Sequence, residues 1–215
     1  MKAYFHRLFT LVSGLFLLAV GIVITIQANI GYAPWEVFHA GLALQTSMSI
    51  GTISILAGLV ILIGALLLQE RIGVGTIANM ILVGLFIDMI ISWAIIPLNA
   101  NFFIGVIMLF GGFFILAFGS YYYIKSAFGS GPRDSLMVAL NRKTKLPIGF
   151  CRIIIELTST LVGWLLGGQV GIGTLIAVLA SGFCVQLVFS WLKFDAAAVK
   201  HQSLRETLKL IKTKK

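Results

Sequence analysis

The chain has 215 residues, of which 59% are hydrophobic and 11% charged, and its mean hydropathy is +1.04. A soluble domain is about half apolar and a quarter charged, so this composition excludes a soluble globular protein and indicates an integral membrane protein. The net charge of +9 would suit a nucleic-acid-binding protein. The basic residues, however, lie at one side of the predicted membrane, which explains the charge without nucleic acid.

Six apolar stretches approach the roughly 20 residues that a helix needs to cross a bilayer. They are residues 8–28, 51–68, 76–96, 102–124, 148–166 and 174–192. Lipid leaves only helices and closed barrels as spanning structures, and these stretches are too long for barrel strands. We therefore expect an all-α membrane protein with about six transmembrane helices. The first stretch is too long for a signal peptide and lacks a convincing cleavage site, so we expect it to remain.

The basic residues fall on one side of the predicted membrane. With a cytoplasmic N-terminus, the outer segments 29–50, 97–101 and 167–173 contain no Lys or Arg. The inner segments carry Lys2, Arg7, Arg71, Lys125, Arg133, Arg142, Lys143, Lys145, Lys193 and the basic tail. This positive-inside pattern predicts that both termini are cytoplasmic, and it explains the charge without nucleic acid.

The tail, residues 196–215, differs from the rest of the chain. The sequence from Ser203 to Glu206 fits a capping box, which predicts the start of a short helix. Four lysines follow: Lys209, Lys212, Lys214 and Lys215. We expect this tail to contact anionic lipid headgroups, with binding to a partner protein as the alternative.

The sequence repeats itself at an offset of 98 residues. Residues 29–93 align without gaps with 127–191, and 16 of the 65 pairs are identical, including several Gly and Pro pairs. Each unit has three crossings, an odd number, so the second copy enters the membrane from the opposite face. This predicts two inverted three-helix repeats, residues 1–98 and 99–195, an architecture typical of secondary transporters. The alternative is a duplicated fold without a transport role.

Each repeat contains a loop that predicts a short helix, at 34–45 and 132–143. Pro34 and Pro132 suit the first helical position, and Glu36 and Asp134 lie in the first turn, where the helix dipole favours negative charge. Neither helix is long enough to span a bilayer. They either lie at the interface, with Trp35 as an ordinary interfacial aromatic, or re-enter the membrane with both helix starts facing a central cavity.

Several polar side chains lie within the predicted spans. Asp88 lies in the third span, and Asn79 lies nine residues earlier, roughly on the opposite face. Arg152 and Glu156 are spaced i and i+4, which brings them together on one helix face. Ionisable residues inside a membrane are candidates for function by default, although the Arg152–Glu156 pair could equally pin helices together.

Six sequence stretches together resemble a known family. They are GYAPWEVFHAGL at 31–42, GTIAN at 75–79, GLFID at 84–88, GSGPRDSLM at 129–137, RIIIE at 152–156 and GWLLGG at 163–168. They are similar to bacterial membrane proteins of the YczE/YyaS/YitT type over nearly the whole chain except the basic tail. The chain departs from the family's pattern at Glu36, where Asp is expected. The resemblance implies a bacterial inner-membrane protein, and it supplies no substrate.

We therefore expect a small secondary-transporter-like protein that carries an unknown small molecule. Its site would be a polar cavity between the halves, with Asp88 as the candidate for proton or cation coupling. The residues expected to bind substrate or ion are Glu36, Asn79, Asp88, Arg133, Asp134, Arg152 and Glu156. The alternative is a non-transporting accessory or scaffold protein that regulates an enzyme. We expect no enzymatic activity, cofactor or metal, because the sequence has no nucleophile–base pair or metal constellation. Homo-oligomerisation stays open.

Overall fold

The computed structural model describes residues 2–70, 72–196, 198–199 and 201–204, and this part of the chain folds into eight α-helices. They are α1 (Lys2–Gln27), α2 (Pro34–Thr46), α3 (Ile50–Leu67), α4 (Val74–Ser92), α5 (Phe102–Lys125), α6 (Pro132–Thr144), α7 (Ile148–Leu165) and α8 (Ile172–Trp191). Five of them, α1, α3, α4, α5 and α8, are long and apolar enough to cross a membrane. The bent pair α6 and α7 makes a sixth if it counts as one span. The prediction of an all-α membrane protein is confirmed, as are the two short helices.

Helices α1 and α5 form the centre of the molecule through facing glycines. A Cβ atom at Gly14 would lie 2.6 Å from the backbone nitrogen of Tyr123 and 3.0 Å from the carbonyl oxygen of Gly119. One at Gly21 would lie 2.8 Å from the carbonyl oxygen of Gly112. Residue numbers rise along α1 while those of their partners fall along α5, so the two helices run antiparallel. The small side chains permit this close approach of two backbones.

Helices α4 and α8 flank this pair, α4 against α1 and α8 against α5. The start of α4 lies against the loop that precedes α6, and the start of α8 lies against the loop that precedes α2. The amide of Gly75 donates to the carbonyl of Phe128 at 2.8 Å, and the amide of Gly173 donates to that of Ile30 at 2.7 Å. These two contacts correspond to each other at the 98-residue offset of the sequence repeat.

Both helix starts are capped in the same way. The Thr76 hydroxyl accepts from the amide of Gly73 at 3.2 Å, and the Thr174 hydroxyl accepts from that of Gly171 at 3.1 Å. Each threonine occupies the third helical position and closes a capping box. The repeated Gly-x-Gly-Thr steps of the sequence therefore start membrane helices.

The short helix α2 crosses α7, and α6 crosses α3. At the first crossing, a Cβ at Gly41 would lie 2.3 Å from the carbonyl oxygen of Gly163. The side-chain amide of Gln45 donates to the carbonyl of Leu166 at 3.0 Å. At the second, Arg142 donates to the carbonyl of Leu68 and forms an ion pair with Glu70 at 3.0 Å.

Residues 201–204 return to the body of the protein. The backbone amide of Gln202 donates to the carbonyl of Ala127 at 2.9 Å, and the backbone amide of Leu204 donates to the carbonyl of Ile72 at 2.9 Å. Arg7 donates to the side chain of Gln202 at 3.2 Å. Arg205 and Glu206 of the predicted capping box, the four tail lysines and Arg71 lie outside the described residues, so the predicted contact with lipid headgroups stays a prediction.

Candidate functional site

A cavity of about 390 Å³ lies in the middle of the protein and is bordered by all eight helices. Its walls are largely aliphatic and aromatic, from residues such as Leu18, Phe113 and Phe189. Five charged side chains also line it: Glu36, Arg133, Asp134, Arg152 and Glu156. The volume falls in the range typical of small-molecule sites, which are mostly apolar with a few convergent polar groups.

The first turns of both short helices border this cavity, at Pro34–Glu36 and Pro132–Asp134. The residue before each proline is extended, with φ −67° and ψ 158° at Ala33 and φ −62° and ψ 157° at Gly131. Proline disfavours helical geometry in its predecessor and suits the first helical position, so each helix begins at its proline. The sequence therefore positions two carboxylates, Glu36 and Asp134, on the cavity wall.

An ion pair joins the two short helices across the cavity. Arg133 of α6 lies 3.7 Å from the Glu36 carboxylate of α2, and the Glu36 side chain is 8% exposed. The Arg133 guanidinium also lies 4.6 Å from the centre of the Trp35 ring. Such a cation–π contact is most favourable with tryptophan. Trp35 is therefore part of the cavity wall.

The second ion pair forms along one helix. Arg152 donates to the carboxylate of Glu156 at 2.8 Å on α7, as their i and i+4 spacing predicts. Asn79 of α4 lines the same cavity. The structure thus brings together six of the seven residues predicted for the site.

Asp88 is the exception, and the expectation that it lines the cavity is wrong. Its carboxylate accepts hydrogen bonds from the Ser49 hydroxyl at 2.5 Å and from the amide of Gly51 at 2.9 Å. These contacts hold the start of α3 against the end of α4. Nine residues separate Asn79 from Asp88, about two and a half helical turns, so the two side chains point to different faces of α4.

The chain matches the profile described as "Family of unknown function (DUF6198)" over residues 5–190. It belongs to this family. An uncharacterized protein of Haemophilus influenzae is 32% identical over 86% of this chain and 84% of its own length. The uncharacterized membrane protein YczE of Bacillus subtilis is 31% identical, covering 81% of each chain. The uncharacterized protein YyaS of the same species is 25% identical over 81% of this chain and 88% of its own length. No solved structure matches.

The similarity to YczE and YyaS confirms the resemblance drawn from the motifs. A membrane protein among the relatives and the long apolar helices establish this family member as a multi-pass membrane protein that lies in a lipid bilayer. Within the described residues, no group of three or more His, Cys, Asp and Glu side chains is arranged to hold a metal ion.

Two further residues of the cavity wall were missed by the sequence analysis. His39 is 2% exposed and packs against Trp35, with ring centres 6.2 Å apart. Tyr123 is 3% exposed, and its buried hydroxyl has no hydrogen-bond partner among the described residues. His39 lies one turn after Glu36, so the face of α2 could have suggested it. Tyr123 belongs to a run of three tyrosines at the end of α5, and the sequence does not distinguish it from its neighbours.

The return of the tail brings His201 within the electrostatic reach of Asp134. Burial lowers the pKa of His201, and the nearby Asp134 carboxylate offsets part of this effect.

Proposed function

We propose that this family member is a small secondary-transporter-like protein of the bacterial inner membrane, with both termini in the cytoplasm. Its solute would bind in the central cavity, between two inverted repeats. The observation that carries the proposal is the gathering of three carboxylates and two guanidinium groups in one cavity of an otherwise apolar chain.

The free-energy cost of placing charged side chains in this cavity supports a functional role for them. A charged side chain deep in a membrane protein costs several kcal/mol unless it is paired or in water. None of these five groups takes part in the close glycine contacts between α1 and α5 or between α2 and α7. Retaining them in a cavity of about 390 Å³ is consistent with the binding of a polar solute.

The helix contacts support the inverted arrangement. An inverted repeat requires equivalent helices to run in opposite directions, and α1 and α5 are antiparallel. The two facing glycine pairs, Gly14 with Gly119 and Gly21 with Gly112, exchange places under the 98-residue offset, as a two-fold relation between the halves requires. The junctions at Gly75 and Gly173 correspond in the same way. Short helices whose starts border a site at the repeat interface are common in secondary transporters.

Access to the cavity from both faces of the membrane distinguishes transport from a scaffold role, and it can be tested without knowing the solute. Ser54 of α3 and Ser181 of α8 both line the cavity. We expect Ser54→Cys and Ser181→Cys, in a background carrying Cys151→Ala and Cys184→Ala, to react with a membrane-impermeant thiol reagent added to either face. Both native cysteines are buried, so the background is first checked for an unchanged elution profile and thermal unfolding.

Labelling from one face only, at both positions, would reject alternating access. That result would favour the second candidate function, an accessory protein that acts through its cytoplasmic face. A protein in which neither position reacts from either face, although both react after unfolding, would likewise contradict a solute pathway.

A further inference from the structure

The charges of the cavity do not balance. Arg133 faces Glu36 and Arg152 faces Glu156, so each guanidinium has its own carboxylate. Asp134 is the remaining carboxylate of the lining, and it forms no ion pair within 4.0 Å among the described residues. Among the described residues that line the cavity, two arginines and three carboxylates leave one net negative charge. Arg152, Arg133 and His201 all act electrostatically on Asp134, but both arginines are paired with other carboxylates.

Asp134 is nevertheless placed to accept a ligand. Its side chain is exposed and lines the cavity, so a ligand in the cavity can reach the carboxylate. The carboxylate lies beside the backbone of Gly131, which donates a hydrogen bond to it. This contact fixes the position of the carboxylate at the start of α6 and leaves most of its hydrogen-bonding capacity unused, since a carboxylate offers about four acceptor sites.

The hydroxyl of Tyr123 is the second unsatisfied group at this place. It is buried without a hydrogen-bond partner among the described residues, which costs about 1–3 kcal/mol. Both groups border Gly131: a Cβ there would lie 3.2 Å from an Asp134 carboxylate oxygen and 4.0 Å from the Tyr123 oxygen. Ser120 lies one turn before Tyr123 on α5 and also lines the cavity.

We propose that Asp134 and Tyr123 form a subsite for a protonated amine, so that the solute of the cavity is a small organic cation with N–H donors. This inference names the substrate class and rests on the proposed transport function. An ammonium group donates to the Asp134 carboxylate and to the Tyr123 oxygen, and its charge neutralises the cavity. The aliphatic and aromatic walls at Leu18, Phe113 and Phe189 suit the carbon skeleton of such a solute better than a hydrated metal cation.

The test uses the full-length protein in detergent, with butylammonium chloride as the probe. Tetramethylammonium chloride carries the same charge without N–H donors, and sodium chloride supplies an inorganic cation at equal ionic strength. We expect butylammonium to raise the thermal unfolding midpoint in a saturable manner, as a ligand that binds only the folded state does. Tetramethylammonium and sodium should leave the midpoint unchanged.

Two variants and a control locate the site. Asp134→Asn should weaken butylammonium binding by roughly tenfold or more, because a charge-assisted hydrogen bond is lost. Tyr123→Phe should weaken it by about threefold to tenfold. Without ligand, Tyr123→Phe should unfold at a higher temperature than the parent, since an unsatisfied buried hydroxyl is removed. Glu70→Gln, whose partner Arg142 lies outside the cavity lining, should bind as the parent does.

Equal midpoint shifts with all three salts, no shift with butylammonium, or unweakened binding by both Asp134→Asn and Tyr123→Phe would overturn the amine subsite. These outcomes are separable from failure of the transport proposal. If Ser54→Cys and Ser181→Cys react from both faces while butylammonium does not bind, the cavity carries another solute. If butylammonium binds while labelling is one-sided, the site exists in a protein that does not transport.

Discussion

The two short helices share a position in the repeat but are held differently. At the crossing of α2 with α7, two glycines let the backbones touch, Gly41 and Gly163. The equivalent positions at the crossing of α6 with α3 are Ala139 and Ala65, both buried. Methyl groups between two helices keep their axes further apart than glycines do. The same position of the repeat is thus occupied by glycines at one helix contact and by alanines at the other.

Burial follows the same contrast. Six residues of α2 are buried, Pro34, Glu36, Val37, His39, Ala40 and Gly41, against three of α6, Pro132, Ser135 and Ala139. The end of α6 is held instead by Arg142, which bonds to Leu68 and pairs with Glu70. The comparison indicates that α2 is a fixed wall of the cavity, whereas α6, which carries Arg133 and Asp134, is the wall with more freedom to move.

The largest effect on stability should come from exchanging glycine and alanine at the two helix contacts. In Gly163→Ala, the added methyl group would meet the backbone nitrogen of Phe38 at 2.4 Å, and we expect a loss of roughly 1–3 kcal/mol in the free energy of unfolding, as for other overpacked sites. The reverse change at the equivalent position, Ala65→Gly, should cost about 0.5–1 kcal/mol. Thermal and denaturant unfolding in detergent measure both. Equal losses would show that the two crossings do not differ in closeness.

The second effect concerns Asp88, which fixes the start of α3, the helix that α6 crosses. Asp88→Asn removes the charge that accepts from the Ser49 hydroxyl and the Gly51 amide, and we expect a loss of about 1–2 kcal/mol in the free energy of unfolding. Binding of butylammonium should not change, because Asp88 lies outside the cavity. A variant of unchanged stability that has lost ligand binding would restore the coupling role predicted from the sequence.

The smallest effect should be at the end of α6. Glu70→Gln breaks an ion pair whose arginine side chain is 55% exposed, so we expect less than about 1 kcal/mol of destabilisation. Hydrogen–deuterium exchange in lipid nanodiscs should nevertheless show faster exchange along α6 in this variant and unchanged exchange along α2. In the parent protein, α6 should already exchange faster than α2. The opposite order would contradict the assignment of α6 as the more mobile wall.

Much of the fold could be predicted from the sequence, because the signals are local. Hydrophobic length located the five helices that are long and apolar enough to cross a membrane. Pro34 and Pro132 located the short helices, and i, i+4 spacing identified the Arg152–Glu156 pair. The contacts that define the site are not local. Arg133 and Glu36 are 97 residues apart in the sequence, and only the assembled helices bring them together.

The error at Asp88 has the same origin. Its acidity and its position within a span were visible in the sequence. The sequence does not state which face of α4 packs against α3 and which face borders the cavity. Its partners Ser49 and Gly51 lie 39 and 37 residues away. Tyr123 was missed because an unsatisfied hydroxyl is a property of packing, which the sequence does not state.

The inverted arrangement of the two halves is the central claim, and Thr46 and Thr144 test it most directly. They are the last residues of α2 and α6, they correspond at the 98-residue offset, and both are exposed. The Thr46 hydroxyl donates to the carbonyl of Leu42 and the Thr144 hydroxyl to that of Leu140, each at 2.8 Å. The measurement is labelling of Thr46→Cys and Thr144→Cys with an impermeant maleimide in right-side-out and inverted vesicles, in the Cys151→Ala, Cys184→Ala background. The account predicts that Cys at 46 reacts only from the outer face and Cys at 144 only from the cytoplasmic face. Labelling of both positions from the same face would contradict it.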